Sequence, residues 1–314
     1  SIDTTTVTLT AGSTVTEGGQ ITYTATLTNP AQTPVTVTLS NGSVITIKAG
    51  ESVGTVVVDT PANDVYNNGS TVSTTITGAT GGNFENLVPS TTPAVTTITD
   101  SIDTTTVSLT ATNTVTEGGQ ITYTATLTNP AQTPVTVTLS DGSVITIKAG
   151  ESVGSVVVDT PPNDVYVNGS TVSTTITGAT GGNFENLVPN TTPAVTTITD
   201  SIDTTTVTLT APSEANEGGQ ITYTATLSNK AGTDVTLKLD NGSSITIKAG
   251  DTVGTVTVPA PSDDVFIDKS TQTVKITDTA GGNFEKLEVA GDGATTTIND
   301  TIDKVDVVLT ATTT

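Results

Sequence analysis

Aliphatic residues and threonines alternate along most of this chain. Val7 and Leu9, then Ile21, Tyr23, Ala25 and Leu27, then Val35, Val37 and Leu39 occupy every second position. A period of two puts the apolar members on one face of a pleated strand and the polar members on the other. Threonine suits the outer face, because its branched Cβ fits the pleat while its hydroxyl stays in water. Further strands are expected at 44–48, 52–58, 71–76 and 93–99, with Asn41-Gly42 as the hairpin turn between Leu39 and Ile45. That makes about seven strands before the pattern starts again. No segment of useful length has a 3.6 period, so helix content should be close to nil. The fold class predicted is all-β, an immunoglobulin-like antiparallel β-sandwich.

The pattern restarts at residue 101. Residues 1–100 and 101–200 align without gaps and differ at eight positions. Residues 201–300 keep the register with more substitutions, retaining Glu217-Gly218-Gly219-Gln220, Asn241-Gly242-Ser243 and Gly281-Gly282-Asn283-Phe284-Glu285. One hundred residues is the size of a self-contained domain rather than a solenoid turn. The expected organisation is therefore three tandem sandwiches, 1–100, 101–200 and 201–300, followed by the start of a fourth at 301–314.

Composition narrows the chemistry. The 314 residues include no Cys, Met, Trp or His, and all nine basic residues are lysines. There is no imidazole for general-base work, no thiol nucleophile and no guanidinium fork, so an enzyme is not expected. Without Cys no disulfide can staple the sandwiches. A net charge of -22 repels nucleic acid and anionic membrane surfaces and leaves cations or neutral surfaces as natural partners. No apolar run is long enough for a spanning helix, so membrane insertion is not expected, and Ser1 without an initiating Met reads as an excised fragment.

The acids are not scattered. Each linker is bracketed by two aspartates, in Asp100-Ser101-Ile102-Asp103, Asp200-Ser201-Ile202-Asp203 and Asp300-Thr301-Ile302-Asp303. Following the strands up and down brings the loop at Glu17 and the loop 59–70, with its Asn63-Asp64 pair, to the pole where Asp100 ends the last strand. Such a set of oxygen donors on flexible loops suits Ca²⁺, which takes six to eight oxygens, better than the octahedral Mg²⁺. The diverged third repeat helps choose among them: position 59 becomes Pro259, whereas the other acids persist. The expected ligands are Glu17, Asp64, Asp100 and Asp103, with Glu117, Asp164, Asp200, Asp203, Glu217, Asp264, Asp300 and Asp303 as their copies. The competing reading is that aspartates at strand ends make Asx turns and solvate the linkers.

Other motifs have plainer readings. Gly81-Gly82-Asn83-Phe84-Glu85 lacks the helix and lysine of a phosphate loop and reads as a turn with Phe84 plugging the core. Tyr23, Tyr66 (Phe266 in the third repeat) and Phe84 recur per repeat and are read as core packing rather than as a sugar-stacking surface.

The strings Val15-Thr16-Glu17-Gly18-Gly19-Gln20-Ile21-Thr22-Tyr23, Val37-Thr38-Leu39-Ser40-Asn41-Gly42 and Gly81-Gly82-Asn83-Phe84-Glu85-Asn86-Leu87 occur in order at one period. They resemble the extender repeats of giant bacterial RTX adhesins, in particular the LapA-type biofilm adhesins of pseudomonads. The resemblance covers all three repeats. It implies calcium-dependent immunoglobulin-like sandwiches, type I secretion, an extracellular location with retention at the outer membrane, and the projection of distal adhesive domains. The junctions also resemble cadherin linkers, although the full Asp-x-Asn-Asp-Asn string is missing. The function expected is a structural extender, a monomeric rod whose neighbouring repeats are joined by calcium-clamped linkers. The alternative is a binding module that grips a glycan or host protein through its loops, against which stand the scarce aromatics and the absence of Arg and Trp.

Overall fold

A computed structural model describes residues 1–310, and the structure is all-β with no helix among them. The first repeat has ten strands: β1 (Thr4–Thr10), β2 (Thr14–Thr16), β3 (Gln20–Leu27), β4 (Val35–Leu39), β5 (Val44–Ile47), β6 (Val53–Asp59), β7 (Ser70–Thr74), β8 (Ile76–Gly81), β9 (Asn86–Pro89) and β10 (Ala94–Thr99). The same ten recur in the second and third repeats. Of the segment 301–314, expected to open a fourth repeat, residues 301–310 form no strand and 311–314 lie outside the described residues. The described residues fall into two compact units. One takes Ser1–Ala111, Thr122–Val157 and Ser173–Ala194, and the other takes Thr112–Ile121, Val158–Val172 and the chain from Val195 on.

Three small sheets build a repeat, in the orders β6-β3-β1-β9, β2-β10-β7 and β5-β4-β8. The count exceeds the expected seven because two stretches change sheets part-way. The first strand pairs with β3 up to Thr10 and, after a break at 11–13, pairs with β10 as β2. The strand expected at 71–76 breaks at Thr75, where β7 leaves β10 and β8 joins β4. The remaining additional strand, β9, lies on the edge of the four-stranded sheet, a position that tolerates its terminal Pro89. The sandwich is also not wholly antiparallel: β1 pairs in parallel with β9, and β2 with β10.

The alternating aliphatic residues form the core. Val7, Leu9, Ile21, Ala25, Leu27, Val35, Val37, Leu39, Ile45 and Ile47 are buried around Tyr23. Gly54 lets β6 run close over β5, since a Cβ there would stand 2.7 Å from the Thr46 carbonyl oxygen. The one deep polar contact ties two sheets together: the Tyr23 hydroxyl and the Thr74 hydroxyl lie 2.8 Å apart, buried. Tyr123 and Thr174 repeat it at 2.8 Å. In the third repeat the partner position is Val274, and the buried Tyr223 hydroxyl has no hydrogen bond. Burial also pushes the Tyr223 phenol pKa up.

This difference is a built-in experiment. Tyr23→Phe should destabilise the first repeat by about 1–2 kcal/mol, because it leaves the buried Thr74 hydroxyl unpaired. Tyr223→Phe should leave the third repeat unchanged or more stable. Amide hydrogen exchange along β3 and its counterpart Gln220–Leu227 in the full chain reads both effects, and equal losses would show that the hydroxyl pair contributes nothing.

Candidate cation site at the repeat joints

Backbone bonds within the first repeat build its side of the first joint. The tight turn after β2 is tied down at both ends, with Glu17 N donating to Thr99 O at 3.0 Å and Gly18 N to Pro61 O at 2.7 Å. This brings the Glu17 turn, the loop after β6 and the end of β10 to one pole. Glu17 is only 6% exposed, and its Oε1 accepts the Ser101 amide at 3.2 Å. Asp64 caps its own loop by accepting from Tyr66 N at 2.7 Å and from Asn68 Nδ2 at 2.9 Å. Asp100 accepts from Asn68 N at 3.2 Å.

The following repeat supplies a fourth acid. Glu185, from the turn Gly181-Gly182-Asn183-Phe184-Glu185, accepts the Asp103 amide at 2.6 Å, and one of its carboxylate oxygens lies within 4.8 Å of those of Glu17 and Asp64. The turn needs its sequence: Gly181, Gly182 and Asn183 all have positive φ, at 98°, 84° and 59°, and the Phe184 ring folds back over Gly182 where a Cβ would collide.

The second joint repeats the arrangement with Glu117, Asp200 and Glu285 as the converging trio, and Asp203 N donating to Glu285 Oε2 at 2.6 Å. In the third repeat the trio is Glu217, Asp268 and Asp300, with Asp268 standing where the earlier repeats have Asn68 and Asn168.

Of the residues expected from sequence, Glu17 and Asp64, Glu117 and Asp200, and Glu217 and Asp300 belong to these trios. Asp164 sits beside its trio, accepting from Tyr166 N at 2.7 Å, and Asp264 accepts from Phe266 N at 2.8 Å. Asp103 and Asp203 are not members of the trios, and Asn63 Nδ2 and Asn163 Nδ2 donate to their Oδ2 atoms at 2.7 Å. Asp303 is exposed. Asp59 and Asp159 are occupied by Gln20 and Gln120, each at 2.9 Å. Glu185, Glu285 and Asp268 were not expected. The available signal was the glutamate that ends the Gly-Gly-Asn-Phe-Glu string in all three copies.

The carboxylates are poorly compensated. Desolvation is the main force raising the Glu117 pKa, and the neighbouring Glu285 and Asp164 add to it against the backbone amides of Ser201 and Asp164. Glu185 is raised in the same way, by burial and then by Glu17, against the Asp103 amide. Glu217 is pushed up to about 7, first by its side-chain hydrogen bond with Asp268 and then by burial. Lysines do not relieve them, since the ion pairs found among the described residues join Lys238 to Asp278, Lys248 to Asp234 and Lys286 to Glu288.

The same joints carry an apolar contact. Tyr66 does not pack in its own core, as the sequence suggested, but stacks on Phe184 of the next repeat with ring centroids 5.6 Å apart. Its hydroxyl donates to Pro130 O at 2.6 Å. A short β-bridge flanks the rings, with Asn67 N donating to Asn183 O and Glu185 N to Val65 O, each at 3.0 Å. Tyr166 and Phe284 repeat the stack at 5.8 Å, and the Tyr166 hydroxyl donates to Lys230 O at 2.7 Å.

The LapA domain model matches the chain three times, over residues 3–101, 103–201 and 203–301. The chain belongs to the LapA domain family. No curated protein matches it at a significant level. The three LapA domains make this chain an adhesin-type repeat region, a structural element of a protein at the cell surface or outside the cell. Each match carries its own copy of the Glu17 turn, the Asp64 loop and the Gly-Gly-Asn-Phe-Glu turn.

The raised acids predict a pH response in the metal-free chain. Folded Glu217 keeps its proton to about pH 7, whereas its ordinary value is 4.5. Its contribution to the stability of the third LapA domain is fully present below pH 4.5 and is lost as pH rises through 7. Thermal melting in chelator should therefore fall over that window, and Glu217→Gln should flatten the slope. A melting temperature that rises from pH 4.5 to 7 would contradict the assignment.

Proposed function

We propose that this chain is an extender segment of a bacterial surface adhesin, and that calcium at the joints holds consecutive LapA domains in fixed relation. The observation that carries this reading is Glu117. It is 7% exposed, its Oε1 has no hydrogen-bond donor among the described residues, and it converges with Asp200 from the linker and Glu285 from the next domain. Unpaired buried oxygens recur on Glu185, Glu217, Glu285 and Asp100. Burying several anions together is costly unless a cation joins them. The donors are all oxygens, which fits calcium. Glu17, Asp64 and Glu185 would hold the ion at the first joint, and Glu117, Asp200 and Glu285 at the second. Bound there, calcium supplies the positive charge that turns mutual repulsion into a link between two domains.

An extender also explains the near-identity of the repeats, since a spacer needs length and stiffness rather than a distinctive loop on one domain. Its place would be outside the cell, in an adhesin retained at the outer membrane and carrying its adhesive domains distally.

Calorimetric melting in millimolar calcium and in chelator tests the reading. An ion that binds only the folded form at about 100 times its Kd contributes roughly 2.7 kcal/mol per site. The melting temperature should rise with calcium, and Glu117→Gln or Asp200→Asn should reduce the rise more than Asp159→Asn. Small-angle scattering should narrow in its distance distribution with calcium and broaden in chelator. A melting temperature and a scattering profile that both ignore calcium would overturn the proposal.

A further inference from the structure

Acid clusters and aromatic stacks meet within a few residues at each joint. Phe184 precedes Glu185, and Tyr66 lies two residues after Asp64. The β-bridge therefore registers the two sides of the cluster: Glu185 N donates to Val65 O at 3.0 Å, directly beside the carboxylates that must converge. The covalent linker does not supply that register alone. Ile102, in the middle of it, is 82% exposed.

We propose that Tyr66 and Tyr166 are positioning residues of the cation site. By docking on Phe184 and Phe284 they deliver Glu185 and Glu285 to the clusters and so set the affinity of the joints for the ion. This rests on the reading that the clusters bind calcium.

Exposure among the described residues follows the stacking. Val265, Phe266 and Ile267, the counterparts of the docking segment in the third repeat, meet no following turn among the described residues and are 58%, 71% and 96% exposed. The cluster there is completed by Asp268 of the same repeat rather than by a glutamate from another. Among the described residues no tyrosine stacks on Phe84, and Glu85 is exposed while Glu185 and Glu285 are half-buried. Phe184 and Phe284, covered by a tyrosine, are 8% and 9% exposed. Where a tyrosine stacks on the phenylalanine, the glutamate next to it is half-buried. In the second joint the residue facing the ring is Gly232, where a Cβ would come within 3.1 Å of Tyr166 Cδ1. The third repeat carries Phe266 at the tyrosine position, so the ring rather than the hydroxyl is the part held in common.

Two binding events that share one arrangement must couple, and the coupling is reciprocal. The test is calorimetric titration of the full 314-residue chain with calcium chloride. Tyr66→Ala with Tyr166→Ala should weaken the two joint sites by about fivefold or more. Tyr66→Phe with Tyr166→Phe should restore most of the affinity. Glu185→Gln with Glu285→Gln should weaken binding in the parent chain and add little in the alanine background, because the glutamates are already misplaced there. Circular dichroism checks that the sandwiches remain folded. If the alanine pair unfolds, Tyr66→Leu with Tyr166→Leu keeps an apolar side chain without the stack and carries the same expectation. Joint affinities within twofold of the parent in a folded alanine or leucine variant would overturn the positioning role while leaving the calcium reading intact. A parent chain that takes up no calcium would overturn both.

Discussion

Two residues separate Asp100 from Asp103, and much of the joint follows from that spacing. A linker of Ser101 and Ile102 leaves the last strand of one repeat and the first strand of the next too close for their polar ends to stay apart. The Glu17 turn, the loop after β6 and the Gly-Gly-Asn-Phe-Glu turn of the following repeat must then share one small volume. Backbone amides meet part of the demand, with Ser101 N donating to Glu17 and Asp103 N to Glu185. The carboxylate oxygens left over are what gives the joint its chemistry.

Much of the fold is legible in the residues. The aliphatic-threonine alternation marks β1, β3, β4 and β5, because a half-buried strand has no other way to divide its faces. What escapes is the switching of sheets. Nothing in the short Thr14–Thr16 stretch announces that it leaves β3 for β10, since three residues carry less than two periods of signal. The break at Thr75 is equally silent, because a strand that crosses from β10 to β4 keeps its apolar residues pointing inward throughout. At the joint, the acids of the preceding repeat can be placed from strand direction alone. Glu185 cannot, because it lies 82 residues beyond the aspartate whose amide it accepts, in a turn whose glycines speak for its shape and not for its destination.

The third repeat works as an internal set of substitutions. Val274 in place of threonine strands the Tyr223 hydroxyl, Asp268 in place of asparagine adds a carboxylate to the cluster, and Pro259 removes an acid that only pairs with a glutamine elsewhere. The core aliphatic positions around them stay buried through all of these changes.

The parallel pairing of β2 with β10 has a mechanical meaning. The chain enters the first repeat ahead of β2 and leaves it after β10, and the two strands run side by side through Thr14–Thr97, Val15–Ile98 and Thr16–Thr99. A pull on the two ends of the repeat draws these strands past each other along their length. Their hydrogen bonds are then strained together, in shear, instead of being peeled one at a time from an end. A domain wired this way meets a load on its two ends with the three residue pairs of β2 and β10 acting together rather than in turn.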